Sequence, residues 1–180
     1  MAVGNTAIVA IPSQDDYVWK ISSEKVPHLT ILNLGTQVSE SDQAKIAAYL
    51  EHVVDVSVER FGLSVDRRGK LGPKDADVVF LHDEWHLPKL AEVRGYLLQN
   101  HSVLDGYHGS QQFPEWTPHL TLGFPDSPAK EDTREHPGIH WVHFDKLALW
   151  TGDYEGPTFD LKRPEDSFSM SDISMEQRAA

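Results

Sequence analysis

The tetrapeptide PHLT at residues 27–30 occurs a second time, unchanged, at residues 118–121. The second copy lies about half a chain length after the first, and each copy continues through apolar residues to a glycine, Gly35 or Gly123. A proline is tolerated at the first position of a β-strand and ends any helix before it. The repeat therefore predicts two strands at related places in the two halves of one fold.

Side chains alternate between the two faces of a strand. His28 and Thr30 are therefore predicted to share one face, while Leu29 points into the core on the other. The same alternation places His119 and Thr121 together. If the halves pack with approximate two-fold symmetry, two imidazoles and two hydroxyls converge on one cleft.

Apolar spacing predicts two helices, at residues 41–57 and 87–101. Runs of alternating or β-branched residues predict seven strands around them. Paired strands between helices favour antiparallel pairing in an α+β fold over a doubly wound parallel sheet. The predicted strands are residues 7–11, 28–34, 63–67, 77–81, 119–124, 139–150 and 158–161.

The composition limits the function. The 180 residues include no cysteine, which excludes a thiolate nucleophile or thiolate metal site. A net charge of −12 disfavours duplex DNA and anionic membranes as partners. No signal peptide or membrane span is predicted, so we expect a soluble cytoplasmic protein.

Residues 1–163 are predicted to form the folded domain. Residues 164–180 are rich in serine, aspartate and glutamate and show little apolar periodicity. We expect this C-terminal tail to be flexible or to dock onto a protein partner. The stretch 125–137 is polar and contains Pro128, and it is predicted to be a surface loop.

The repeated residues have the chemistry of phosphoryl transfer. With an unperturbed pKa of about 6.5, one histidine can accept a proton near neutral pH while the other donates one. Each threonine hydroxyl can donate to a phosphate oxygen. A single His-x-Thr on a strand is most often structural, but two identical copies half a chain apart favour the functional interpretation.

These motifs, His28-Leu29-Thr30 and His119-Leu120-Thr121, resemble the 2H phosphoesterase superfamily, also described as 2′-5′ RNA ligase-like or cyclic phosphodiesterase proteins. The resemblance implies a bilobal, pseudo-two-fold α+β fold with antiparallel sheets lining a central cleft and helices outside. It implies metal-independent cleavage of 2′,3′-cyclic phosphates, 2′-5′ linkages or cyclic nucleotides. One histidine would be the base and the other the acid, and the motifs do not say which.

Within that superfamily the chain is most similar to members encoded by tailed bacteriophages, around residues 115–119 and 150–156. This similarity implies a viral enzyme that degrades cyclic oligonucleotide signals of host defence, in the host cytoplasm. Two alternatives stay open. One is RNA-end processing, and the other is a catalytically silent nucleotide-binding module associated with a virion.

Aromatic side chains near the motifs are candidates for stacking on a substrate base. They are Trp150, Tyr154, Trp116, Tyr17 and Trp19, with a core or rim position about equally plausible for each. Lys20 and Lys25, or the basic run at residues 67–70, could offset the acidic surface where phosphate binds, although a solvated hairpin tip is the commoner explanation of that run. No cofactor is indicated, because no phosphate-binding glycine-rich loop is present.

Residues 82–86 are a weak candidate for a metal site, because His82 and His86 are four positions apart and could share one face of a helix. The glutamate that a zincin needs does not follow the first histidine, and Pro88 starts the predicted helix only afterwards. A loop is therefore favoured there, and no metal ligand is predicted.

Overall fold

A computed structural model describes residues 4–83, 89–112, 116–130 and 138–164. Seven strands and four helices are assigned in these ranges. They are β1 (Thr6–Pro12), α1 (Val18–Ile21), β2 (Leu29–Gly35), α2 (Glu40–Val56), β3 (Phe61–Leu71), β4 (Ala76–His82), α3 (Lys89–Leu97), α4 (His101–Gly109), β5 (His119–Gly123), β6 (Trp141–Thr151) and β7 (Thr158–Asp160).

The strands pair in the order β1-β2-β5-β4-β3-β6-β7, and β1 also pairs with β6. Every pairing between these seven strands is antiparallel. The β1–β6 pairing joins the two sides of the order, so six strands form a ring and β7 extends β6. The predicted α+β class with antiparallel pairing is confirmed.

The ring has approximate two-fold character about the contact between β2 and β5. On one side β2 is followed by β1 and then β6, and on the other β5 is followed by β4 and then β3. The strand that carries each PHLT motif therefore occupies a corresponding place in its half. The long strand β6 serves both halves, since residues 144 and 146–151 pair with β1 and residues 141–144 pair with β3.

The main core lies on the face of the sheet that the helices cover. It joins strand residues such as Leu29 and Leu120 to helix residues such as Ile46, Leu90 and Val103, all at most 1% exposed. The opposite face, here called the front face, carries two smaller apolar clusters. The first contains Val9 and Trp150, and the second contains Val78 and Phe80.

Helix α2 lies within one residue of the predicted range at each end. Ser39 caps its N-terminus by accepting a hydrogen bond from the backbone N–H of Asp42 at 3.1 Å. Its buried residues Ile46, Leu50, Val53 and Val54 recur at the i, i+4, i+7, i+8 spacing of one helix face, which is the periodicity behind the predicted range.

The second predicted helix, residues 87–101, is wrong at its C-terminal end. Helix α3 ends at Leu97, and a new helix, α4, begins at His101. Asn100 is the cause, because its side chain accepts from the N–H of Val103 at 3.2 Å and so caps a fresh helix. The short helix α1 was not predicted at all.

One further difference concerns strand β3 and the turn that follows it. Strand β3 runs four residues beyond the predicted end at residue 67, so the basic run lies in the strand. The turn to β4 falls at residues 72–75, where Gly72 and Asp75 have positive φ angles of 70° and 50°.

Of the helices described, none combines the length and the apolar character that a membrane crossing requires.

The described part of the predicted surface loop, residues 125–130, is mostly exposed. Residues 131–137 and the predicted tail from residue 165 onward lie outside the described residues. The predicted division into a domain of residues 1–163 and a tail stays a prediction.

Candidate active site

The two motifs meet at one pair of residues. Leu29 in β2 faces Leu120 in β5, and the strands run antiparallel. Continuing that register places His28 across from Thr121, and Thr30 across from His119. Because the two tetrapeptides are identical, this contact is a local two-fold axis in sequence as well as in backbone geometry.

All four motif side chains lie on the front face. Leu29 and Leu120 are 1% and 0% exposed in the core on the helix side. Their neighbours His28, Thr30, His119 and Thr121 are all partly exposed, as alternation requires. Diagonal positions across an antiparallel pair are about 7–8 Å apart at the backbone. The two imidazoles are therefore on diagonal corners of a small square, with a hydroxyl at each other corner.

Each imidazole is held by a hydrogen bond to the carbonyl oxygen of the residue two positions before it, and the two bonds are equivalent. Nδ1 of His28 lies 2.9 Å from the carbonyl oxygen of Val26, and Nδ1 of His119 lies 2.8 Å from that of Thr117. A carbonyl oxygen can only accept, so Nδ1 carries the hydrogen in both rings. The lone pair of each neutral ring is therefore on Nε2, which is the atom left for proton transfer.

The proline of each motif accounts for this bond locally. Proline fixes its own φ near −65° and pushes the residue before it into extended backbone. Val26 and Thr117 are the residues so restricted, and their carbonyls are the ones that hold the rings. The sequence therefore encodes the imidazole orientation as well as the strand start.

Two aromatic rings contact His28. Trp150 in β6 makes an edge contact with centroids 4.7 Å apart, and Tyr154 makes another at 5.9 Å. These two rings also contact each other, at 5.2 Å. Together with Val9 and Thr30 they line a pocket of about 410 Å³, which is in the range of small-molecule sites.

The turn after β6 presents Tyr154 to this pocket. Gly152 and Tyr154 both have positive φ angles, 82° and 63°. A side chain at Gly156 would overlap the carbonyl oxygen of Leu149, so the chain can pass there only as glycine. Tyrosine at positive φ is unusual outside functional or tightly constrained turns.

Burial lowers the pKa of His28 below its ordinary 6.5, and the neighbouring His119 acts in the same direction. The Val26 carbonyl and the Glu24 carboxylate oppose that change. Because the net pKa is lowered, His28 is neutral at pH 7 with an available Nε2 lone pair. It is thus in the protonation state that a general base needs.

Glu24 acts on the same pocket through Tyr154. The Tyr154 hydroxyl donates to the Glu24 carboxylate. Burial raises the pKa of Tyr154, and the carboxylate adds to that effect. Tyr154 is therefore a neutral phenol whose hydroxyl hydrogen is donated to Glu24, and this bond fixes its ring against His28.

Two serines tie the halves together behind the motifs. The hydroxyl of Ser22, 1% exposed, donates to the carbonyl of Thr121 at 3.0 Å. The backbone N–H of Ser23 donates to the carbonyl of Leu122 at 2.7 Å, and its hydroxyl also contacts that oxygen. The segment before the first motif therefore fixes the position of the second.

Replacing Ser22 by alanine is expected to destabilise the fold by about 1–3 kcal/mol, because the partly buried carbonyl of Thr121 loses the donor that the buried Ser22 hydroxyl provides. The free energy of unfolding in urea measures this effect. The exposed Ser127→Ala is the matched control, with an expected change within about 0.5 kcal/mol. Equal stability of Ser22→Ala and Ser127→Ala would contradict the role given to Ser22.

The other predicted aromatics lie at different places. Trp19 donates its indole N–H to the carbonyl of Pro12 at 3.2 Å and packs beside the cluster of Val9 and Trp150. Tyr17 packs against the main core. Trp116 is 36% exposed and stacks with the Arg94 guanidinium, 4.0 Å from the ring centroid.

Of the five aromatics, the structure thus brings Trp150 and Tyr154 into contact with His28. Trp150 is only 6% exposed, so most of its ring packs against protein rather than facing open solvent. Contact of any of the five with a substrate base stays a prediction. Glu24, Ser22 and Ser23 were missed, because nothing in their local sequence announces a partner about 100 or more residues away.

The considered metal site at residues 82–86 is only partly described, because residues 84–88 lie outside the described ranges. Asp83 accepts hydrogen bonds from the N–H groups of Leu90 and Ala91, at 3.1 and 2.9 Å, and so caps α3. Within the described ranges, no three histidine or acidic side chains group together as a metal site would require.

Comparison of the chain with known protein families gives one match. Residues 14–151 match the family model of the 2′-5′ RNA ligase superfamily. No curated protein matches the chain significantly. The described fold, by contrast, is similar to several solved structures.

Three of these structures show the fold. E. coli LigT complexed with 3′-AMP is 17% identical, with a TM-score of 0.53 over 87% of this chain and 92% of that one. A structure described only as a phosphoesterase is 15% identical, with a TM-score of 0.57 over 89% and 99%. Usb1 of Kluyveromyces marxianus is 8% identical, with a TM-score of 0.51 over 89% and 98%.

Proposed function

Because the chain belongs to the 2′-5′ RNA ligase superfamily of 2H phosphoesterases, we propose that it cleaves a phosphodiester by acid-base catalysis between His28 and His119. The substrate is a cyclic nucleotide or a 2′,3′-cyclic or 2′-5′-linked phosphodiester. One observation carries this proposal: the Leu29–Leu120 register places both histidines and both threonines on one face, with each Nδ1–H engaged.

In this mechanism His28 is the base. Its Nε2 takes the proton from the attacking water as the new phosphorus–oxygen bond forms. Nε2 of protonated His119 gives its proton to the leaving oxygen as the old phosphorus–oxygen bond breaks. Thr30 and Thr121 donate hydrogen bonds to the non-bridging oxygens, where negative charge increases in the transition state. The two rings supply both proton transfers, so the reaction needs no metal ion.

The assignment of His28 as base predicts the pH profile. Since its pKa is lowered, kcat/KM is expected to rise with pH to a half-maximal value below pH 6.5. Glu24→Gln removes a charge that raises this pKa but leaves an acceptor for Tyr154. The rising limb should therefore move to still lower pH in that variant.

This pH prediction is checked by kcat/KM against pH and by NMR titration of His28 in the free protein. A midpoint at or above pH 6.5 in the unmodified protein would exclude His28 as the base with lowered pKa. A shift to higher pH in Glu24→Gln would exclude the electrostatic role of Glu24.

The function itself is tested by offering a panel of phosphodiesters in the presence of EDTA. The panel contains nucleoside 2′,3′-cyclic phosphates, 2′-5′-linked dinucleotides and cyclic mono-, di- and trinucleotides. Turnover in EDTA that is lost in His28→Ala and His119→Ala is the expected result. Turnover that requires added metal, or that survives both substitutions, would contradict the proposal.

The same panel separates the alternatives. RNA-end processing predicts activity confined to the 2′,3′-cyclic and 2′-5′-linked members of the panel, together with joining of RNA ends by the reverse reaction in a separate assay. A catalytically silent binding module predicts nucleotide binding without any turnover. The bacteriophage origin and the action on host defence signals stay predictions, and selective cleavage of cyclic oligonucleotides would support the second of them.

A further inference from the structure

Arg67 lies on the front face beside the second motif. In the β3–β4 pairing Arg67 faces Phe80, and in the β4–β5 pairing Phe80 faces His119. Residues that face each other across an antiparallel pair have their side chains on the same side of the sheet. The three side chains therefore form one row across three neighbouring strands, from Arg67 through Phe80 to His119.

The guanidinium of Arg67 is held on the ring of Phe80. Its central carbon lies 4.0 Å from the ring centroid, which is a cation–π contact. Gly69 makes room for it, since a Cβ there would lie 3.1 Å from a terminal guanidinium nitrogen and 3.0 Å from the Phe80 ring. The ring is 5% exposed, so Phe80 is a buried floor with the guanidinium above it.

The guanidinium remains open to a ligand while it is held in place. The Arg67 side chain is 63% exposed, and its Nε lies 3.8 Å from a carboxylate oxygen of Asp66. Such an exposed ion pair is weak, because solvent screens both charges. Resting flat on a ring, a guanidinium still directs its N–H groups outward in its own plane, which is the geometry that binds phosphate through two bonds.

The spacing suits a second phosphate. Neighbouring strands are about 4.8 Å apart, so the backbones of Arg67 and His119 are separated by about 10 Å across β4. A group bound at Arg67 is therefore beside the scissile phosphate without replacing it. On a chain with a net charge of −12, a cation fixed on this face also offsets repulsion of a polyanionic substrate.

Resting on the proposed phosphodiesterase function, we propose that Arg67 binds a second, non-scissile phosphate of the substrate. The preferred substrate class is then a nucleotide with at least two phosphates, such as a linear or cyclic oligonucleotide, rather than a nucleoside 2′,3′-cyclic monophosphate. Arg67 is a specificity-determining residue, and it takes no part in proton transfer.

The test is equilibrium binding of two ligands that differ by one phosphate. Adenosine 2′-monophosphate and adenosine 2′,5′-bisphosphate are titrated by calorimetry into the full chain and its variants. Arg67→Gln is expected to weaken bisphosphate binding about tenfold or more, since charge-assisted hydrogen bonds are lost. The affinity for the monophosphate should change less than about twofold. Arg67→Lys should lose less affinity for the bisphosphate than Arg67→Gln, because it keeps the positive charge.

Lys70→Gln is the matched control. It removes the same charge from an exposed position of the same strand, on the opposite face from Arg67 by alternation. Bisphosphate binding should be nearly unchanged in that variant. The affinity for the bisphosphate should also depend less on salt concentration in Arg67→Gln alone, because one contact between opposite charges is lost.

The inference would be overturned if Arg67→Gln weakened the binding of both ligands equally or left the affinity for the bisphosphate unchanged. An equal loss of bisphosphate affinity in Lys70→Gln would overturn it as well. Failure of the proposed function is a separate result, because it is measured as absence of turnover. A chain that binds the bisphosphate through Arg67 but cleaves nothing would keep Arg67 as a phosphate-binding residue and contradict the phosphodiesterase.

Discussion

Replacing either His28 or His119 by alanine is expected to lower kcat by about 10²–10⁴-fold, because each substitution removes one of two proton transfers. The measurement is initial-rate hydrolysis of the best substrate in the panel, at pH 7 and with EDTA. The fold should persist in both variants, since neither ring is part of the main core. Thermal unfolding and circular dichroism check that point.

The double variant tests whether the two rings act as one unit. When two groups serve a single transition state, removing both costs little more than removing one. We therefore expect His28→Ala with His119→Ala to resemble the poorer single variant. His52→Ala, an exposed histidine of α2, is the control and should retain full activity. A loss below about tenfold in either motif variant would exclude that ring as acid or base.

The threonine hydroxyls are expected to contribute on the order of 10²–10³-fold each, if each acts as one donor to the developing phosphate charge. Thr30→Val and Thr121→Val remove the hydroxyl but keep the branched shape that suits a strand. The expected change is in kcat with little change in KM, because the contact strengthens in the transition state.

Serine variants provide the matched controls for this prediction. Thr30→Ser and Thr121→Ser retain a hydroxyl and should recover most of the activity that valine loses. If the serine and valine variants were equally poor, the methyl group rather than the hydroxyl would be the important part. The threonines would then be packing residues of the strands.

Much of the site could be predicted from the sequence because its information is local. The two-residue period of a strand places His28 and Thr30 together, and the proline before each histidine starts the strand. Both features depend only on residues within four positions of each other, so they can be predicted without knowing how distant segments pack. The same holds for α2, whose buried stripe and Ser39 cap are readable in sequence.

What could not be predicted depends on contacts between distant segments. The Leu29–Leu120 register is set by packing of two half-chains, and only the repeat hints at it. The Glu24–Tyr154 bond joins residues 130 positions apart, and no local pattern marks such a pair. The placement of Arg67 over Phe80 required knowing that β3 continues past residue 67 and pairs through β4 with β5.

The break between α3 and α4 is a different case, because its signal was in the sequence. Asn100 is a strong N-cap residue, followed three positions later by the buried Val103. The leucine periodicity before it concealed the start of a new helix. A strong N-cap residue within a stretch of helical apolar periodicity is thus evidence that the stretch forms two helices rather than one.

The central claim is that His28 and His119 act on a single phosphate, and a crystal structure with adenosine 2′-monophosphate tests it most directly. The account predicts that Nε2 of both rings lies about 2.6–3.2 Å from oxygens of one phosphate group. The hydroxyls of Thr30 and Thr121 should contact the same group. A phosphate bound by only one ring, or bound away from both, would contradict it.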